Sequence, residues 1–128
     1  MSAVSVRYIV DDVDAAVDFY TKLLGFAIVM RPDPSFAALS KGDLRLLVNA
    51  PTGPGGAAQP TPDGRRPEPG GWSRFQLTVT DLAEEVERLR GAGARFRNDI
   101  VVGRGGKQIL LEDPAGNPIE LFEPPATG

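Results

Sequence analysis

The sequence predicts an α+β protein built from two repeated βαβββ modules. Three observations carry that expectation. Residues 51–71 read PTGPGGAAQPTPDGRRPEPGG, in which twelve of 21 residues are Pro or Gly, a composition with little means of forming a helix or an interior strand. This stretch divides the 128-residue chain into halves of similar length. Each half then shows the same order of periodicities, which marks an internal repeat.

In the first half, residues 4–10 read as a strand by composition. Asp11 and Asp12 precede Val13, Ala16, Val17, Tyr20, Leu23 and Leu24, the i, i+3, i+4, i+7 stripe of an amphipathic helix, with Asp as N-cap and Gly25 as the stop. Three strands follow, at 26–30, 36–39 and 44–48, the last two joined through Lys41-Gly42-Asp43. In the second half, residues 75–79 are the first strand. Asp81, with Glu84 three residues on, starts a helix whose stripe is Leu82, Val86 and Leu89, and Gly91 or Gly93 ends it. Strands at 94–101, 108–112 and 119–122 complete the module. The expected total is eight strands and two helices, with module one at 1–50, the Pro/Gly-rich loop at 51–71 and module two at 72–128, all in one domain.

Composition narrows the chemistry. The chain has no histidine and no cysteine. Disulfides, thiol nucleophiles and Cys-based zinc sites are excluded, and the commonest metal ligand and neutral-pH base are missing. A net charge of −3 and a pI near 4.9 argue against nucleic acid as a partner. The N-terminal residues lack the basic and apolar segments of a secretory signal, and no apolar run approaches a membrane span of about 18 residues. The expectation is a cytoplasmic protein that binds neither nucleic acid nor membrane.

Two motifs, Asp11-Asp12-Val13-Asp14-Ala15-Ala16 leading to Phe19-Tyr20 and Leu24-Gly25-Phe26, and Asp113-Pro114-Ala115-Gly116-Asn117-Pro118-Ile119-Glu120-Leu121, occur here in one order with the repeat. The chain thereby resembles the vicinal oxygen chelate superfamily, the glyoxalase, bleomycin-resistance and dioxygenase group, over nearly its whole length. The resemblance implies a curved sheet around a cup that holds a ligand or a metal, and commonly a homodimer. Strand alternation on that fold turns Ser5, Arg7 and Ile9, and in the second module Arg74, Gln76 and Thr78, toward the cup. Glu120 and Phe122 face it as well, with Leu46 and Val48 as their first-half counterparts. A register error of one residue would reverse these facings.

Metal-binding members place ligands at positions that fall here on Ser5, Leu46, Arg74 and Glu120. Only Glu120 is a ligand type expected there, and Arg74 sets a permanent positive charge where a divalent ion would sit. The resemblance therefore implies no metal and no cofactor. Arg74 and Glu120 are expected to meet, either as a structural ion pair or as groups that bind or polarise a ligand. Arg7, Arg74, Gln76, Glu120, Phe122, Trp72, Ser5 and Leu46 are the candidate ligand-binding residues, and no residue is identified as catalytic. Tyr8, Phe36, Trp72 and Phe122 are the aromatics able to line a cup, whereas Tyr20 is core. Arg65-Arg66 belong to a solvated loop or a lid, and Gly103-Arg104-Gly105-Gly106 to a hairpin turn or an anion cradle.

Two functions compete. One is a metal-independent small-molecule-binding protein of the bleomycin-resistance kind, sequestering or carrying a ligand, as in antibiotic resistance. The other is an enzyme of lyase, isomerase or dioxygenase type acting on a small metabolite, without metal if Arg74 and Glu120 do the chemistry. An interaction module without ligand is a third, because fold does not fix function.

Overall fold

A computed structural model of the chain describes residues 4–126. Two compact units emerge: the chain up to Gly70 together with Pro114–Asn117, and Gly71–Asp113 together with the chain from Pro118. The Pro/Gly-rich loop thus belongs with the first unit.

In the first unit, β1 (Val4–Ile9) leads to α1 (Val13–Asp18), followed by β2 (Ala27–Asp33), β3 (Phe36–Lys41) and β4 (Leu44–Asn49). The sheet order is β1-β4-β3-β2, with β1 parallel to β4 and the other pairs antiparallel. Asp12 caps α1 by accepting from Ala15 N–H at 3.1 Å. The sequence predicts one α-helix through Leu24. Instead α1 gives way after Asp18 to a π turn, Phe19–Leu23. Phe19 and Tyr20 are both buried and meet edge to face at 5.1 Å, and Tyr20 meets Phe26 at 5.5 Å. The wider turn accommodates two adjacent buried rings that a regular helix would rotate apart. Gly25, at φ +76°, supplies the left-handed residue that ends it.

The core side of this sheet follows from alternation. Tyr8, Val10, Ala37, Leu39, Leu46 and Val48 are buried, and α1 packs on β3 and β4 with Val13, Ala16 and Val17 inward. β2 is the edge strand and is exposed along its length. Register shifts after Ile28 and after Met30, and Pro32 near its end, keep it irregular, as edge strands often are. The loop beyond β4 forms only one 3₁₀ turn, Gly56–Ala58.

The turn of the Asp113-to-Leu121 motif ties into this first unit. Asn117, almost fully buried, accepts from Gly70 N–H at 2.8 Å and donates from Nδ2 to Ile9 O at 2.7 Å.

In the second unit, β5 (Gln76–Thr78) precedes α2 (Leu82–Gly91), then β6 (Arg95–Phe96), β7 (Val101–Gly103), β8 (Gly106–Glu112) and β9 (Pro118–Glu123). The order is β5-β9-β8-β6, with β7 also paired to β8; β5 lies parallel to β9. Asp81 caps α2 through Glu84 N–H at 3.1 Å, and Glu123 Oε1 accepts from Leu82 N–H at 2.8 Å. Gly93, at φ +89°, ends the helix rather than Gly91, which is its last residue. Leu82, Val86 and Leu89 are buried, as are Ile109, Leu111, Ile119 and Leu121 on the strands, each such side chain contributing about 1.5–3 kcal/mol of burial.

Here the strand expectation needs correcting: the described residues hold nine strands, because the segment expected at 94–101 is split into β6 and β7. Asn98 is the cause. Its side-chain Oδ1 accepts from Leu110 N–H at 2.9 Å, taking the place of a ladder carbonyl. The Gly103–Gly106 run is a hairpin turn between β7 and β8. Among the described residues no helix is long and apolar enough to cross a membrane.

Candidate functional site

The second module's polar surface is built on β9. Ile119 and Leu121 go to the core, so alternation sends Glu120 and Phe122 to the opposite side. Across the ladder Glu120 lies between Gln76 of β5 and Leu110 of β8, and Phe122 between Thr78 and Gln108. Arg74, just before β5, completes the cluster. Its Nη2 donates to Glu120 Oε1 at 2.8 Å and its Nε to the same oxygen at 3.0 Å. Gln76 Nε2 donates to Oε2 at 2.6 Å. Both carboxylate oxygens are therefore engaged by protein donors. The pair is shielded unequally: the side chains are 28% and 10% exposed for Arg74 and Glu120.

Trp72 extends this surface. Its carbonyl accepts from Arg74 Nη1 at 3.2 Å, while the residue is 70% exposed. Arg97 lies over the ring, guanidinium to centroid 4.9 Å, within cation–π range. Arg97 is itself held by Glu112 at 2.8 Å and by Gly71 O at 2.7 Å. Arg97 and Glu112 were not among the residues expected at the site; the side of Glu112 follows from the alternation of β8, whereas that of Arg97 follows only once the break at Asn98 is known.

In the first module, Ser5 and Arg7 lie on the side of the sheet away from α1. Arg7 Nη1 donates to Asn49 Oδ1 at 2.8 Å, and its guanidinium stands 6.0 Å from the Phe36 ring centroid. Leu46 is the correction. It is fully buried on the α1 side, as is Val48, so neither faces the polar surface. The ladder pairs Arg7 with Leu47 and Gln76 with Glu120, which makes Leu47 the counterpart of Glu120 and Asn49 that of Phe122. Tyr8 is likewise buried on the core side and lines no open surface. Arg65 forms an exposed pair with Asp63 within its loop.

Comparison with known proteins decides the family. The model of the Glyoxalase/Bleomycin resistance protein/Dioxygenase superfamily matches residues 3–121. The chain belongs to that superfamily. It is 27% identical to a superfamily member from Sphaerobacter thermophilus, with a TM-score of 0.75 over 96% of this chain and 97% of the other. It shares its fold with TnmS3, an antibiotic binding protein from Streptomyces sp. CB03234, at 24% identity and a TM-score of 0.73, covering 98% and 97% of the two chains. A curated relative, the probable chloroplastic lactoylglutathione lyase of Arabidopsis thaliana, is 26% identical over 92% of this chain but only 34% of its own length. The chain thus spans about a third of that relative.

The superfamily's metal does not fit the residues present. Among the described residues no group of three or more His, Cys, Asp or Glu side chains is placed to hold an ion, and a three- or four-ligand site cannot be assembled from one carboxylate. The Glu120 oxygens, moreover, already accept from a guanidinium and an amide.

Proposed function

We propose that this chain is a metal-independent small-molecule-binding protein of the glyoxalase/bleomycin-resistance type, one that sequesters or carries its ligand. The observation that carries the reading is the Arg74–Glu120–Gln76 cluster. At the position where metal-binding relatives carry a ligand, the carboxylate is neutralised by Arg74 and capped by Gln76. What remains accessible beside it is a set of polar groups and aromatic faces, Trp72 and Phe122, suited to noncovalent recognition. The fold neighbour named as an antibiotic binding protein supports the class of function and leaves the ligand open.

The competing reading, a lyase- or isomerase-like enzyme using Arg74 and Glu120, would require a substrate to pull Glu120 away from two donors before it could take a proton.

The test uses untagged protein. We expect substoichiometric Zn, Ni, Mn and Fe by elemental analysis, and ligand-dependent thermal stabilisation against a library of small aromatic compounds. One metal per chain, lost in Glu120→Gln, would overturn the proposal. We place the protein in the cytoplasm as a homodimer, and sedimentation giving only the 13.6 kDa species at tens of micromolar, roughly the range where such interfaces hold, would refute the dimer.

A further inference from the structure

We infer that the first module holds a site for a small aromatic monocarboxylate, with Arg7 as its anion-binding residue. The inference adds a ligand class to the binding reading above and uses neither Arg74 nor Glu120.

The site is a cavity of about 340 Å³, at the small end of ligand pockets. Its floor is the polar side of β3 and β4, where Phe36 and Asn49 sit as ladder partners. Its other wall is the start of the Pro/Gly-rich loop, Thr52 and residues 54–58. That loop is fastened rather than loose. Ala50 N–H donates to Ser35 O at 2.9 Å, Gln59 Nε2 donates to the carbonyls of Gly53 and Gly55 at 3.1 Å each, and Ala58 is buried. Gly53 has φ +128°, and a Cβ there would lie 3.2 Å from Ser35 Oγ. A larger residue would push the wall outward.

Arg7 is the cationic residue on the cavity lining and Asp33 the anionic one. Asn49, 5% exposed, donates from Nδ2 to Ala50 O at 2.9 Å, which fixes its Oδ1 toward Arg7. The amide orients the guanidinium without neutralising it. A guanidinium has five N–H donors, and among the described residues no carboxylate pairs with that of Arg7. A planar fork with free donors in a partly enclosed pocket matches a carboxylate. The Phe36 face, Pro54 and the loop alanines match a flat apolar body. Asp33, on the same lining, accepts at Oδ1 from the Ser35 N–H and hydroxyl; its negative charge disfavours a second anionic group and so selects a monoanion.

Titration calorimetry with benzoate and benzamide tests this. Benzoate should bind one per chain, and benzamide at least about tenfold more weakly, the range expected for losing one charge-assisted contact. Arg7→Met should lose about tenfold or more in benzoate affinity, and Asp33→Asn should gain a few-fold. The Arg74→Met/Glu120→Leu double variant is measured alongside, and its loss of benzoate affinity should be smaller than that of Arg7→Met. If Arg7→Met fails to fold by circular dichroism, Arg7→Lys must show the weakening instead. Equal binding of benzoate and benzamide, no benzoate binding at all, or unchanged affinity in a folded Arg7 variant would overturn the inference. Loss in the double variant with retention in the Arg7 variant would also overturn it while leaving the proposed binding function standing.

Discussion

Each module presents an arginine on the polar side of its sheet, and the two arginines end in opposite electrostatic states. Arg7 is oriented by a neutral amide, Asn49. Arg74 is neutralised by Glu120, which takes a third hydrogen bond from Gln76. The ladder explains the divergence. Position 120, between the β5 and β8 partners, is glutamate in module two, while its counterpart in module one is Leu47. With no carboxylate there, Arg7 bonds Asn49, the polar residue two positions on. One repeat therefore yields a self-compensated cluster in one half and an uncompensated cation in the other.

The largest effect separating the halves should come from their hairpins. Gly42, at φ +58° in the β3–β4 turn, has nothing within 4 Å of where a Cβ would stand, whereas a Cβ at Gly106, at φ +136°, would meet Glu123 O at 2.3 Å and the Phe122 ring at 3.0 Å. Gly106→Ala adds a backbone clash to unfavourable φ and should cost about 3 kcal/mol or more, against about 1 kcal/mol for Gly42→Ala. Urea unfolding of the two variants measures the contrast. Equal costs would mean that β8 and β9 can shift apart, and with them the side chains around Glu120.

Next in size is the ion pair. Removing Arg74 leaves a nearly buried carboxylate with Gln76 alone. For full burial the loss would be about 3–5 kcal/mol; the 28% exposure of Arg74 reduces it, to about 1–2 kcal/mol for Arg74→Met. Arg74→Met with Glu120→Leu should recover at least half of that loss. Additive single effects in this cycle would show that the two residues do not interact. Arg7→Met, which strands only a neutral amide oxygen, should cost no more than about 1 kcal/mol.

The limits of the sequence as a guide lie at particular residues. The caps at Asp12 and Asp81, the stop at Gly25 and the Arg74–Glu120 meeting were legible because each rests on short-range chemistry or on a strand with clear alternation. In Ile119-Glu120-Leu121 a charged residue between two apolar ones fixes the facing. Leu46-Leu47-Val48 is an unbroken apolar run, so period-two alternation carries no signal there. Alignment of the repeats then slipped by one residue, which moved Leu46 to the wrong side. Asn49 was missed for the same reason. The break at Asn98 was also illegible, because a side chain replacing a ladder carbonyl depends on Leu110, twelve residues away.

The smallest expected effect sharpens the comparison at the rim of module one. The Asp33 carboxyl is held below the usual carboxylate range, first by the Ser35 hydroxyl and then by the Ser35 N–H. A depressed folded value means that any stabilisation is present above the unfolded pKa and is lost as pH falls through the folded one. Asp33 is fully exposed, so its titration rather than protein stability is the readout. Ser35→Ala removes the larger cause and keeps the N–H, so the carboxyl should move part of the way back toward its ordinary value in an NMR titration. Both donors are neutral. The depression in the wild type should therefore survive about 1 M salt, where the Debye length is about 3 Å. A shift that collapsed with salt, or that persisted in full without the hydroxyl, would mean that a nearby cation holds Asp33 ionised. If Arg7→Met then removed that shift, Arg7 would be the compensating cation, and the electrostatic contrast between the modules would disappear.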